Sequence, residues 1–309
     1  MNQVSDAESL PQTTAGAAVS GAVKRDVAFK RSKGGSTLSS MARHALLVAV
    51  SALLILPFFW MVASALKDNT QIFAQPVVWW PFPGHWDNFG KAATYPGFPY
   101  LLMLGNSIFY AGTVMIGTVL SCALVGYGFA RLRFPGRGLL FGVTLATQML
   151  PTIILFIPTY ILFKYLGMIG SYMPLILPAF FGNAFFIFLL RQFFMGIPWE
   201  LSEAAKIDGA SEFRIFWQIM LPLVRPALIV VAVFTLLWTW QDFFGPLVYL
   251  SDQSQYPLTL GLFAFQAQRT TEWALLMAGS VLVTLPLVIV FGFTQRYFVQ
   301  GISMTGIKG

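Results

Sequence analysis

Few side chains in this 309-residue chain could do chemistry, and most stand alone. His44 and His85 are far apart, on either side of the first long apolar run, and form no metal pair. Cys122 is the one cysteine. It lies in an apolar stretch with no basic residue or histidine near it in sequence, so nothing there favours a reactive thiolate. No disulfide can form within the chain. No Ser-His-Asp set or carboxylate pair suggests catalysis, and the G-x-x-x-x-G-K-[ST] phosphate loop is absent. We therefore expect no catalytic residue, metal or cofactor on this chain. What remains is a set of polar and indole groups inside otherwise charge-free runs: Asn106, Gln148, Asn183, Trp238, Trp240, Gln241 and Asp242. Asp242 is the one acid among them. A carboxylate at mid-bilayer costs about 2.5–3.5 kcal/mol on insertion scales, so it must face a cavity or a partner. It can line a path or gate, or it can anchor two helices; the sequence leaves both open.

The elements that hold these groups follow from composition. The chain is 57% hydrophobic and 10% charged, against about 25% charged in soluble domains. A soluble fold this apolar would lack polar groups to cover its surface, so the bilayer is the expected solvent. Aromatics reach 16%, with 30 Phe and 9 Trp, which suits lipid contact and interfacial belts. The net charge of +7 comes from basic residues scattered between apolar runs, with no stripe for nucleic acid.

Six apolar stretches can cross a membrane, at about 45–66, 105–130, 139–163, 172–190, 227–250 and 273–295. A span needs roughly 20 residues and must pair its own backbone, so these are expected to be helices. No alternating strand pattern suggests a barrel. Residues 1–44 read as a disordered basic tail, 45–300 as the membrane domain and 301–309 as a C-terminal tail. A basic region, an apolar run and Ala63-Ser64-Ala65 also resemble a cleaved signal peptide. The basic region is too long for that, and the run exceeds a usual signal core. With the N-terminus inside, 15 Lys and Arg fall in inner segments and 4 in outer ones. That puts both termini in the cytoplasm. The outer segment 67–100 carries Trp79, Trp80, Trp86 and several prolines, and suits the outer interface. Pro57, Pro151, Pro158, Pro174, Pro178 and Pro286 interrupt the spans. They mark bends around a cavity, or simply the ordinary frequency of proline in membrane helices.

The longest inner loop between spans, 191–225, is not composed like a linker. Pro198, with Glu200 and Glu203 near the positive end, opens a short helix. Leu201, Ala204, Ala205 and Asp208 share one face of it, and Gly209 stops it. Ser211 can cap a second helix, in which Phe213, Phe216, Trp217 and Met220 form an apolar stripe. That stripe can lie on the bilayer or on the chain's own bundle. Periodicity alone allows an ordinary interfacial hairpin.

The order of residues is more specific. Glu203-Ala204-Ala205, three residues, Gly209, nine residues, then Ile219-x-Leu221-Pro222 resembles the EAA signature of ABC importer permeases. The resemblance covers most of the chain after residue 45. It is closest to the carbohydrate-uptake group, and within it to the second permease of maltose-type systems. Tyr127–Arg137, Met149-Leu150-Pro151, Ile157-Pro158, Gln295–Gly301 and the short tail Gly306–Gly309 add to it. The group often shows W-N-E-F then P-L in span five; here Trp240-Gln241-Asp242-Phe243 precedes Pro246-Leu247, with a shorter acid.

The resemblance implies an all-α type I permease of six transmembrane helices in the bacterial inner membrane. It implies that Glu203, Ala204, Ala205, Asp208, Gly209, Ile219, Leu221 and Pro222 form the ATPase-docking element. It also implies the partners: a second permease in a heterodimer, two ATP-binding subunits that hold ATP and Mg, an external solute-binding protein, membrane lipid and a sugar substrate, with no nucleic acid. Amides, a carboxylate and indoles can hold sugar rings and hydroxyls, so the seven residues named first become candidates for the path. The competing readings are a permease for a non-sugar solute, an ion-coupled secondary transporter and a membrane scaffold.

Overall fold

The structure is a computed structural model and describes residues 36–266 and 271–305. The reading of residues 1–35 as a tail, and the tail Gly306–Gly309, lie outside the described residues. Residues up to Ile55 form one unit and residues from Leu56 form the other.

Eight helices carry the architecture: α1 (Ser36–Ala65), α2 (Tyr100–Arg131), α3 (Arg137–Thr147), α4 (Thr152–Tyr165), α5 (Ala184–Met195), α6 (Glu200–Ile207), α7 (Arg225–Trp240) and α8 (Trp273–Thr305). Four stretches are long and apolar enough to cross a bilayer: 39–65 in α1, α2 itself, Met173–Met195 ending in α5, and 273–295 in α8. Two bent pairs bring the possible total to six: α3 with α4, bent by 97°, and Glu212–Leu223 with α7, bent by 78°. No named strand occurs among the described residues.

Three boundaries differ from the sequence reading. Residues 36–44, assigned to the tail, are helical, because the apolar run that follows carries the helix back through Ser36. The last helix continues past Gln295 to Thr305, so residues 301–305 are not a separate tail. The fifth apolar stretch stops at Trp240 and restarts at Phe244, because Asp242 turns its carboxylate onto the N–H of Gly245.

In the unit from Leu56 onward, α2 is the central helix and packs against α5, α7 and the 173–181 segment. Small residues allow the close approach that drives helix association in lipid. A side chain at Gly126 would meet Leu190 Cβ at 3.2 Å, and one at Gly117 would meet the Phe180 ring at 2.8 Å. One apolar core gathers Cys122, Tyr127, Phe186, Leu190, Phe194, Ile215, Phe216, Met220 and Val231. A second gathers Ala65, Phe98, Met103, Ala111, Trp240, Leu258, Phe265 and Ala278. The 67–100 segment is held to the end of α1: Asn88 Nδ2 donates to the Ala65 and Lys67 carbonyls, each at 2.9 Å. Trp79 and Trp80 pack against Trp60 and Phe59.

The 172–190 stretch is also broken. A helical turn at Met173–Ile176 passes into a 3-10 turn at Leu177–Phe181, and Gly182 takes φ +92° before α5 begins. Asn183 then caps α5, its Oδ1 accepting from the N–H groups of Phe185 and Phe186. The Cys122 thiol supports the break by accepting from the Asn183 N–H at 3.2 Å.

Candidate functional site

The loop after α5 folds as a preformed hairpin. In α6, Ser202 and Ala205 turn inward at i, i+3. The helix ends in a Schellman motif: Ala210 N donates to the Ala205 carbonyl at 2.9 Å, and Gly209 N to the Lys206 carbonyl at 3.0 Å. Gly209 takes φ +77°, a conformation that side-chain-bearing residues rarely adopt. Ser211 caps the next segment by accepting from Arg214 N. That segment, Ile215–Met220, is a π-helix rather than a regular α-helix, so its apolar stripe splits. Phe216 and Met220 enter the core, while Phe213 and Trp217 stack on each other outside.

Charge ties this hairpin across its own turn and to the central helix. Lys206 Nζ pairs with Glu212 Oε1 at 2.5 Å. The Tyr127 hydroxyl of α2 donates to Glu212 Oε2 at 2.8 Å. The Lys206 ammonium, helped by the Tyr127 hydroxyl, holds the Glu212 carboxyl below its usual range against the opposing effect of burial, which outweighs the Tyr127 contribution alone. At the end of α2, Arg131 is buried and clamps the chain leaving α5. Its Nε and Nη2 donate to the Phe194 carbonyl at 3.1 and 2.7 Å, and Nη2 also reaches the Ile197 carbonyl. Trp199 lies over the Arg131 guanidinium at 4.7 Å. A cavity of about 580 Å³ opens beside these groups, walled by Arg131, Arg133, Trp199, Ser202, Glu203, Lys206 and Glu212 among others.

The eight residues assigned to docking divide into two sets. Glu203, Ala204, Asp208, Gly209 and Pro222 are exposed and offer a surface. Ala205, Ile219 and Leu221 do not: Ala205 is buried in the core formed with Tyr127 and Phe216, and the other two pack against it. Ala205 stands about 100° round the helix from Ala204, so one alanine faces out and its neighbour faces in. The shared face expected of Leu201, Ala204, Ala205 and Asp208 is corrected accordingly.

The seven path candidates are also separated. Trp240 is buried in the second core, and its indole N–H donates to the Val283 carbonyl at 3.1 Å, so it lines no path. Asn106 ties α2 to the segment after α7, donating to the Ser254 and Tyr256 carbonyls at 2.8 and 3.1 Å. Both Asp242 oxygens are occupied: Oδ2 accepts from the Tyr110 hydroxyl at 2.8 Å and Oδ1 from Gly245 N at 3.0 Å. Gln241 is exposed just past α7, and Gln148 is exposed in the break between α3 and α4. Only Asn183 and Trp238 come together, on the wall of a cavity of about 280 Å³. Three threonines share that wall, Thr118, Thr235 and Thr239. Sequence reading passed over them because helical threonines usually satisfy themselves on their own backbone; the i, i+4 spacing of Thr235 and Thr239 was the available signal.

A membrane bundle of broken helices with an exposed hairpin in its loop is the kind of arrangement that transport permeases use. Residues 122–304 match the family described as binding-protein-dependent transport system inner membrane component. The chain is 33% identical over 256 residues to a probable ABC transporter permease protein, YurM, of Bacillus subtilis, covering 82% of this chain and 83% of that one. It is 32% identical over 262 residues to the arabinooligosaccharides transport system permease protein AraQ of Halalkalibacterium halodurans, covering 84% and 93%. It is 34% identical over 265 residues to the sn-glycerol-3-phosphate transport system permease protein UgpE of Yersinia enterocolitica, covering 84% and 94%. Its fold is similar to that of a chain in a bacterial ABC transporter that imports the acidic polysaccharide alginate, with a TM-score of 0.75, 21% identity, and 84% and 96% of the two chains covered. The chain belongs to the binding-protein-dependent transport system inner membrane component family. It is a multi-pass inner-membrane permease subunit of an ABC importer, with the type I permease fold.

Proposed function

We propose that the 191–225 loop docks an ATP-hydrolysing subunit and that the chain conducts a sugar inward. The complex would add a second permease, two ATP-binding subunits that hold ATP and Mg²⁺, and an external solute-binding protein. The observation that carries this reading is the Lys206–Glu212–Tyr127 chain, which joins the exposed turn at Asp208 and Gly209 to the central helix α2. A hairpin tied in this way moves as one body with α2. Closure of a partner against Glu203, Ala204 and Asp208 would then be transmitted to the spans instead of being absorbed by a flexible loop. Sugar is the favoured cargo because an oligosaccharide permease stands among the relatives. The sn-glycerol-3-phosphate relative keeps a phosphorylated polyol as the second reading. Asp242 has both oxygens engaged within the chain, which favours an anchor over a gate.

The test is a single cysteine at Asp208, with the ATP-binding subunits co-expressed. A crosslink to an ATP-binding subunit that depends on nucleotide is expected. A crosslink seen only with unrelated membrane proteins would sink the docking assignment.

A further inference from the structure

The 280 Å³ cavity lies between the middle of α2, the 173–183 break and the last turns of α7. In lipid, a helical threonine ordinarily donates its hydroxyl to a carbonyl one turn back. Thr144, Thr159, Thr284 and Thr294 do so here, each to the carbonyl four residues earlier. Thr118, Thr235 and Thr239 do not, although their exposures are only 5%, 5% and 8%. Thr235 Oγ1 is closed off without any hydrogen-bond partner among the described residues. A buried hydroxyl without a partner costs about 1–3 kcal/mol, and Thr235 carries that cost; the Thr118 and Thr239 side chains stand on the same wall with no hydrogen-bond partner among the described residues. Asn183, on the same wall, has given its Oδ1 to the cap of α5, which leaves its amide nitrogen as the remaining donor. Trp238 stacks on Phe186 at 5.4 Å yet is 55% exposed, so part of the indole is free to meet a ring.

We propose that this cavity is a subsite of the chain itself for one ring of a neutral carbohydrate. The proposal rests on the permease reading and deepens it. Hydroxyls and an amide match the donors and acceptors of a sugar, and the indole matches its apolar face. The walls carry no charged side chain. A phosphate or uronate would need charge-assisted donors in so apolar a setting, so anionic solutes are disfavoured. The volume lies just under the ~300–1,000 Å³ of sites that enclose drug-sized ligands, which suits one ring rather than a whole oligomer.

The experiment uses the full complex in nanodiscs and saturation-transfer NMR. The probes are a neutral set (arabinose, arabinotriose, maltotriose, sorbitol) and an anionic set (glycerol 3-phosphate, glucose 6-phosphate, galacturonate). A neutral probe should show transfer that weakens roughly three- to tenfold in affinity when Thr118→Val and Thr239→Val are combined, a loss of neutral hydrogen bonds. Thr118→Ser with Thr239→Ser should restore it. Transfer to anionic probes alone, transfer indifferent to the valines, or none to any neutral probe would overturn the subsite. Co-purification of the ATP-binding subunits, read on the same samples, reports separately on the permease reading.

Discussion

The hydroxyl of Tyr127 in α2 donates to the carboxylate of Glu212, 85 residues away in sequence and on the far side of the docking turn. With Lys206 on its other oxygen, Glu212 joins α6, the segment after Gly209, and the central helix.

Removing one arm of that junction should separate force from motion. Tyr127→Phe keeps the ring packed on Phe194 and Phe216 and deletes only the hydroxyl. The complex should assemble and hydrolyse ATP, with uptake per ATP falling about two- to tenfold, the size of one modest hydrogen bond. Measuring both rates in the same proteoliposomes checks this. An unchanged ratio would show that the bond carries no coupling.

Acid should loosen the hairpin in a definite direction. The folded-state pKa of Glu212 is depressed, first by its bond to Lys206. A depressed carboxyl stabilises the fold above its unfolded pKa, near 4.3, and that contribution is lost as pH falls through the folded value. Hydrogen exchange of residues 200–222 should therefore be protected equally at pH 6 and 8 and lose protection below about pH 4. Lys206→Met should move the onset of that loss to higher pH.

Gly209 tests the turn itself. A Cβ there would meet nothing within 4 Å, so a side chain fits and only the positive φ resists it. Gly209→Val should cost about 1–3 kcal/mol locally. It should also uncouple ATP hydrolysis from uptake while the protein stays in the membrane. Gly209→Asn, which tolerates this backbone better, should retain most coupling. Normal uptake by the valine variant would contradict a docking role for the turn.

Asp242 tests anchor against gate. Asp242→Ala would strand the Tyr110 hydroxyl and the Gly245 N–H, a loss of about 1–3 kcal/mol. The Tm of the purified complex should fall while the KM for sugar stays within about threefold, as an anchor away from the solute requires. A KM raised tenfold or more at unchanged Tm would return Asp242 to the solute path.

The docking hairpin was legible because its signals are local: a glycine at a helix end, a serine cap and two alanines. The choice between Ala204 and Ala205 was not local, since it depends on where Tyr127 and Phe216 stand. The same limit applied to Trp240 and Asn106. Sequence showed that they were polar or indole groups in apolar runs, but not that Val283 and Tyr256 would supply their partners. Asn183 and Trp238 were found as candidates, whereas the hydroxyls beside them were hidden by the usual self-sufficiency of threonine. Helix breaks were visible as prolines, but their size was not. Pro151 marks a 97° bend and Pro158, inside α4, marks no break of its own.

That 97° bend has a consequence for whatever covers it. In the single chain Gln148, Met149, Leu150 and Pro151 are all exposed, midway along the run 137–165. Interrupted backbone at membrane depth is tolerated only under protein or beside water, and each stranded polar group in hydrocarbon costs several kcal/mol. The N–H groups of Gln148, Met149 and Leu150 are paired with the carbonyls of Leu145, Ala146 and Thr147, so what a cover must meet there is the bared side-chain surface and the turn's outward carbonyls.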